Sequence, residues 1–385
     1  MILYILIFLA VLYLYNTAKT PKQQQTYFKY MMIFLALFVG LADMLGGYDR
    51  YIYGELFDSS ADAIHAGKSF KETLVFSVYG SEFGYGLWNV LVGAITTNRY
   101  IFIMLSTFLM YFLFYRAIKQ QTENPIFALI VFMALTFYFS FTYLRQMLAA
   151  AIVWQSLPYV EKRNLKMFCL WVFIAFSFHN SAIVFLPVYF IPFRKFKREW
   201  VDAVIIACLL LGLSGFSSNL FEAYADATSA LERVNVQKYA VDEGFRWAYF
   251  IEAFFFYYII RKYYSKLGNN KISIVGLNLS IIFCCILLLF LHSENGGRIG
   301  WLFMIGLYSM LTTTFAGIKK VANASIIIIV SFALFFRITY LWGENGFQIL
   351  YPYKTFLTPG VRKPDRCHDV YEYDNKYDEN KFYRL

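Results

Sequence analysis

Several separate stretches of this sequence place arginine, acid or imidazole at the edge of an apolar run. Asp43, Asp49 and Arg50 follow the second such run, and Glu82 precedes a short apolar stretch carrying Tyr85 and Asn89. Arg145 and Gln146 open the run Tyr143-Leu144-Arg145-Gln146-Met147-Leu148-Ala149, and His179 with Asn180 marks a turn. Arg246 and Glu252 begin a later run, and His292, Glu294 and Arg298 share one turn, Leu291-His292-Ser293-Glu294-Asn295-Gly296-Gly297-Arg298. Ionisable groups at membrane depth are costly and mark function. Guanidinium groups bind phosphate oxygens bidentately. A carboxylate or imidazole can take a proton from a hydroxyl. Aromatic rings pack on sugar faces, and greasy helices supply a groove for a lipid tail. These are the parts needed to move a glycan from a lipid diphosphate, with two arginines neutralising the departing group. No metal is required, no metal-ligand spacing is present, and no cofactor is expected.

Each residue also has a plainer reading. Arg145 and Arg298 can snorkel to lipid phosphates. Asp49 and Arg50 can form a local ion pair, and Asp43 can pair with any of the arginines. His179 can be a satisfied helix-end histidine. The tyrosines belong largely to an interfacial belt or the core in a chain that is 21% aromatic. The acids between Glu222 and Glu243 read as a solvated loop.

The elements that must position these groups follow from composition. The chain has 385 residues, 59% hydrophobic and only 16% charged. A soluble domain carries about 25% charged residues. The apolar residues come in runs such as Met31 to Val39, Ile272 to Leu291 and Ala324 to Phe336. With neutral flanks these approach the roughly 20 residues of a spanning helix. Lipid requires backbone polar groups to be satisfied within each segment, and the period-two alternation of a barrel is missing. The expectation is an all-α, polytopic transmembrane helix bundle. The net charge of +10 sits in short loops, where it sets topology, so nucleic acid is not an expected partner. Cys169, Cys208, Cys284 and Cys285 lie in apolar runs as packing residues, and Cys367 beside His368 does not make a metal site.

Lys and Arg clusters at 19–29, 116–119, 162–166, 194–198, 261–271 and 319–320 mark the inner loops. Helices are expected near 1–16, 30–46, 99–116, 124–141, 144–160, 165–180, 181–193, 200–216, 244–263, 272–292, 299–315 and 321–342. That makes about twelve spans. Residues 1–343 form a transmembrane domain with acidic outer loops at 47–98 and 217–243, and 344–385 a polar outer tail. The apolar stretch 84–97 is too short to span and reads as an outer interfacial helix anchored by Tyr85 and Trp88. A large first outer loop with such a helix resembles the GT-C class of membrane glycosyltransferases.

Four ordered stretches resemble the EpsG family, the Wzy-type polymerases of bacterial exopolysaccharide and capsule. They are Gly47-Tyr48-Asp49-Arg50-Tyr51-Ile52-Tyr53, Glu82-Phe83-Gly84-Tyr85-Gly86-Leu87-Trp88-Asn89, Arg145-Gln146-Met147-Leu148-Ala149 with the later Phe178-His179-Asn180-Ser181-Ala182, and Asn295-Gly296-Gly297-Arg298 with Tyr351-Pro352-Tyr353. The resemblance implies a glycosyltransferase of the bacterial cytoplasmic membrane with its site facing outward. It implies that repeat units on undecaprenyl diphosphate are joined by attack of one unit's hydroxyl on the anomeric carbon of the growing chain. Arg145 and Arg298 then bind the leaving diphosphate. Asp49 is the first choice of base, because GT-C enzymes place an acid in the first outer loop, with Glu82 and His179 after it. Gln146, Tyr85 and Asn89 position sugars, and Arg50 and Arg246 add substrate-binding charge. Partners are the lipid-linked oligosaccharide, membrane lipid and other polysaccharide export proteins. Two rival readings remain open. A flippase would line a mid-membrane pathway with polar groups, and a membrane O-acetyltransferase would need access to an inner acyl donor.

Overall fold

The computed structural model describes residues 1–43, 45–216, 244–267, 270–317, 321–344 and 346–357, except for the side chains of Tyr48 and Glu294. The expected 217–243 loop, Lys319 and Lys320, and the tail from 358 with Cys367 and His368 lie outside the described residues. Among the described residues the chain is helical, with no strand and one isolated bridge between Ala42 and Thr355.

Helices α1 (Ile2–Thr17) and α2 (Pro21–Gly40) open the bundle. In the first loop come α3 (Tyr48–His65), α4 (Leu74–Val78) and α5 (Phe83–Gly93). The centre holds α6 (Arg99–Gln121), α7 (Pro125–Leu135), α8 (Phe139–Thr142), α9 (Leu144–Val153), α10 (Leu157–Glu161) and α11 (Leu165–Phe178). A 3-10 helix (Asn180–Phe190) and α12 (Arg198–Leu213) follow. The last described part contains α13 (Trp247–Tyr263), α14 (Lys271–Leu289), α15 (Glu294–Gly297), a 3-10 turn (Arg298–Phe303), α16 (Met304–Phe315) and α17 (Ser325–Trp342).

Local chemistry sets several of these boundaries. Thr20 and Gln23 form a capping box in front of Pro21, so α2 starts well before residue 30. Asn98, Asn124, Asn164 and Asn270 each accept backbone amides at a helix start. Several expected spans are broken. The 124–141 helix stops at Leu135, where the Thr136 hydroxyl bonds the Tyr308 hydroxyl across the core. The 144–160 helix passes through a 3-10 turn before Pro158, which has no amide hydrogen to continue the ladder. The 181–193 segment is a 3-10 helix containing Pro187.

The first loop is more ordered than expected. Beside α5 it holds α3, which no long apolar run announces. Tyr53, Leu56, Phe57, Ser60 and Ala61 are buried at helical spacing, which makes α3 amphipathic.

Three helices, α6, α14 and α17, are long and apolar enough to cross a membrane by length and composition. Large apolar side chains also face outward on many elements, among them Ile2, Leu6 and Tyr13 on α1, Trp200, Ile206 and Leu210 on α12, and Ile329 and Phe336 on α17. Such a continuous apolar exterior is not tolerated in water, and the chain is a membrane protein. Its two ends differ. At one end Arg163 donates to the Tyr189 and Ile191 carbonyls, Lys195 to those of Tyr264 and Ser265, and Asn124 to that of Ala316. The candidate residues gather at the other end.

Candidate functional site

Two neighbouring constellations occupy that end. The first is a clasp around Arg145. This residue lies in the first turn of α9 and forms an ion pair with Glu82, just before α5. The second Glu82 oxygen accepts the Asn180 amide at 3.2 Å, and the Asn180 side chain donates to Ser81 Oγ at 2.9 Å. The Arg145 guanidinium carbon lies 3.6 Å from the Tyr79 ring centroid, 5.6 Å from that of Tyr53 and 5.7 Å from that of Tyr85. An acid and three aromatic faces thus surround the cation, each attractive to it. Gly84 permits the approach, because a Cβ there would overlap Ser177 Oγ of α11. The clasp therefore binds the first loop to the start of α9 and the end of α11.

The other expected residues of this region have definite places. His179 caps the 3-10 helix, its Nδ1 accepting the Ser181 amide at 3.2 Å, so that lone pair is engaged. Tyr85 and Asn89 are fully buried, the Asn89 amide donating to the Tyr85 carbonyl at 2.8 Å, and neither presents a surface to a sugar in this conformation. Arg50 is also buried. It donates to the Val39 carbonyl at 3.0 Å, to that of Ala42 at 3.3 Å and to that of Phe141 at 3.2 Å. The first two are carbonyls at the end of α2 that have no onward helical partner. Asp49, half-buried in the first turn of α3, stands within electrostatic reach of Tyr53.

The second constellation is a cavity of about 210 Å³ between α7, α13, α14, α17 and the 298–303 turn. Arg246, Glu252, Arg298 and Arg337 line it, against Tyr143, Trp301 and Trp342. The Arg298 guanidinium carbon sits 4.3 Å from the Tyr143 ring centroid and 6.0 Å from that of Trp301. Gln146 Nε2 donates to the Arg298 carbonyl at 3.2 Å, and the Arg246 amide donates to the Leu291 carbonyl at 2.7 Å. These bonds hold the starts of α9 and α13 to the turn that carries Arg298. Gly297 lies so close to Tyr249 that any Cβ would overlap its ring.

The segment Tyr143-Leu144-Arg145-Gln146 serves both constellations. Arg145 points to the clasp, while Tyr143 and Gln146 reach Arg298. Of the expected residues, Arg246 and Arg298 line the cavity; Asp49, Glu82, Arg145 and His179 do not. Sequence reasoning left Glu252 and Arg337 without a role. Their signal was visible as lone charges inside apolar runs.

The model of one protein family, the EpsG family, matches residues 26–355 of the chain. No curated protein and no solved structure matches it.

Proposed function

The chain belongs to the EpsG family, and on that premise we propose that it polymerises lipid-linked oligosaccharide repeat units at the outer face of the bacterial cytoplasmic membrane, which it crosses many times. The observation that carries this reading is the cavity that three arginines and one carboxylate line among aromatic rings. The donor is a repeat-unit chain on undecaprenyl diphosphate. Its diphosphate lies against Arg298 and Arg246, and Tyr143 and Trp301 line the same cavity. The acceptor hydroxyl forms a bond to the anomeric carbon, and the bond from that carbon to phosphate oxygen breaks with its electron pair. Fixed guanidinium groups stabilise the charge that develops on the departing oxygen. The clasp keeps the first loop over this end of the bundle. Of the three expected bases, Glu82 has both oxygens engaged and His179 uses Nδ1 as a cap. The outward orientation is supported by the Lys and Arg residues at the opposite end.

The test is polymerisation by the purified full chain in proteoliposomes supplied with an undecaprenyl-diphosphate oligosaccharide. A ladder of lengthened glycans is expected, and Arg298→Ala should slow it about 10²–10³-fold. Translocation of the lipid without new glycosidic bonds, or acetyl incorporation instead, would replace this reading with one of its rivals.

A further inference from the structure

The cavity holds a carboxylate that the established requirements of arginine-assisted departure do not explain. Glu252 lies in the second turn of α13 and lines the cavity together with all three arginines. Among the described residues it makes no hydrogen bond or ion pair, although Arg337 is its electrostatic neighbour. Arg337 likewise has no hydrogen-bonded partner there, and its side chain is exposed on α17 where the cavity opens. A carboxylate with no hydrogen bond among the described residues, lining a cavity with arginines, is placed to act on what the cavity binds.

The acceptor hydroxyl must lose its proton as the bond from the anomeric carbon to phosphate oxygen breaks. Glu252 is the carboxylate that the cavity presents among the described residues, and a carboxylate can take that proton.

We propose that Glu252 is the base that receives the acceptor hydroxyl's proton, and that Arg337 is a third contact to the donor diphosphate at the cavity mouth. The inference rests on the polymerase reading above. It moves the base from Asp49, outside this cavity, to a group that faces the reacting atoms. In the balanced step, the acceptor oxygen bonds to the anomeric carbon, its proton passes to the Glu252 carboxylate, and the phosphate oxygen departs with the bonding pair. The donor enters sideways between α13 and α17, which pack on different helices, α14 and α7.

The experiment uses the full chain in nanodiscs and separates binding from chemistry. Binding of undecaprenyl diphosphate alone is read by native mass spectrometry, and polymerisation by glycan ladders from the lipid-linked oligosaccharide. Glu252→Gln should bind the lipid diphosphate as well as or better than wild type, since a negative charge has left the cavity. It should polymerise about 10²-fold or more slowly, the scale of a lost general base. Glu252→Asp should restore part of the rate, and Arg337→Ala should weaken binding. Wild-type rate from Glu252→Gln overturns the assignment while leaving the polymerase reading intact. Loss of binding and polymer together in Glu252→Gln points to a structural carboxylate and also overturns it. A wild-type chain that binds lipid diphosphate but forms no glycosidic bond removes the polymerase reading itself.

Discussion

Removing the Glu82 carboxylate should loosen the first loop by an amount that the structure bounds. In Glu82→Ala the Arg145 guanidinium stays where it is, with a side chain only 12% exposed, and loses its one ion-paired acid among the described residues. Breaking a buried pair from one side costs about 3–5 kcal/mol. Partial access to solvent and the retained Tyr79 face at 3.6 Å offset some of this, each on the order of 1 kcal/mol. The Asn180 amide also loses its acceptor, which adds about 1 kcal/mol. A net loss of about 2–4 kcal/mol follows. The assay is a double-mutant cycle of Glu82→Ala, Arg145→Met and the pair, read by thermal unfolding in nanodiscs and by protease sensitivity of the 66–82 stretch. The double variant should be more stable than the sum of single losses predicts, with a coupling of about 1–3 kcal/mol. Strictly additive losses would refute the clasp. So would unchanged protease sensitivity in Glu82→Ala.

Two further outcomes test how the fold supports the site. Arg50→Lys should lower the unfolding temperature, at a cost of about 1–3 kcal/mol, because one ammonium cannot serve both the end of α2 and the Phe141 carbonyl. A variant of normal stability with only a raised KM for donor would instead return Arg50 to substrate binding. Gly212→Ala should cost about 1–3 kcal/mol and reduce polymerisation, since its Cβ would overlap the Leu288 carbonyl and push α12 off α14, which carries Leu287 of the cavity wall. Unfolding temperature and ladder length check both effects, and an unchanged pair of values would contradict the close helix contact.

The helical class, the membrane environment and the family were all legible before any coordinates. They rest on quantities that add along the chain: long apolar runs, few charges, and clusters of lysine and arginine in short loops. Ordered motifs such as Glu82 to Asn89 and Asn295 to Arg298 carried the family resemblance, because glycine and charge at those places answer to local demands. The unbroken span expected at 124–141 ends at Leu135, and the short run at 181–193 is a 3-10 helix that contains Pro187; hydropathy registers neither. The amphipathic α3 stayed hidden because its buried face alternates with polar residues.

Residue roles depended on the third dimension. Arg50, Arg145 and Arg298 look alike in sequence, each at the edge of an apolar run. Packing caps a helix end with the first, encloses the second between Glu82 and three tyrosines, and turns the third into a cavity. Glu252 and Arg337 come together only because α13 and α17 lean on different neighbours and leave space between them. Hydrophobic burial is summed residue by residue, so sequence reports it well. The use of a charge depends on which distant backbone or side chain stands within a few ångströms, and only the assembled bundle sets that distance.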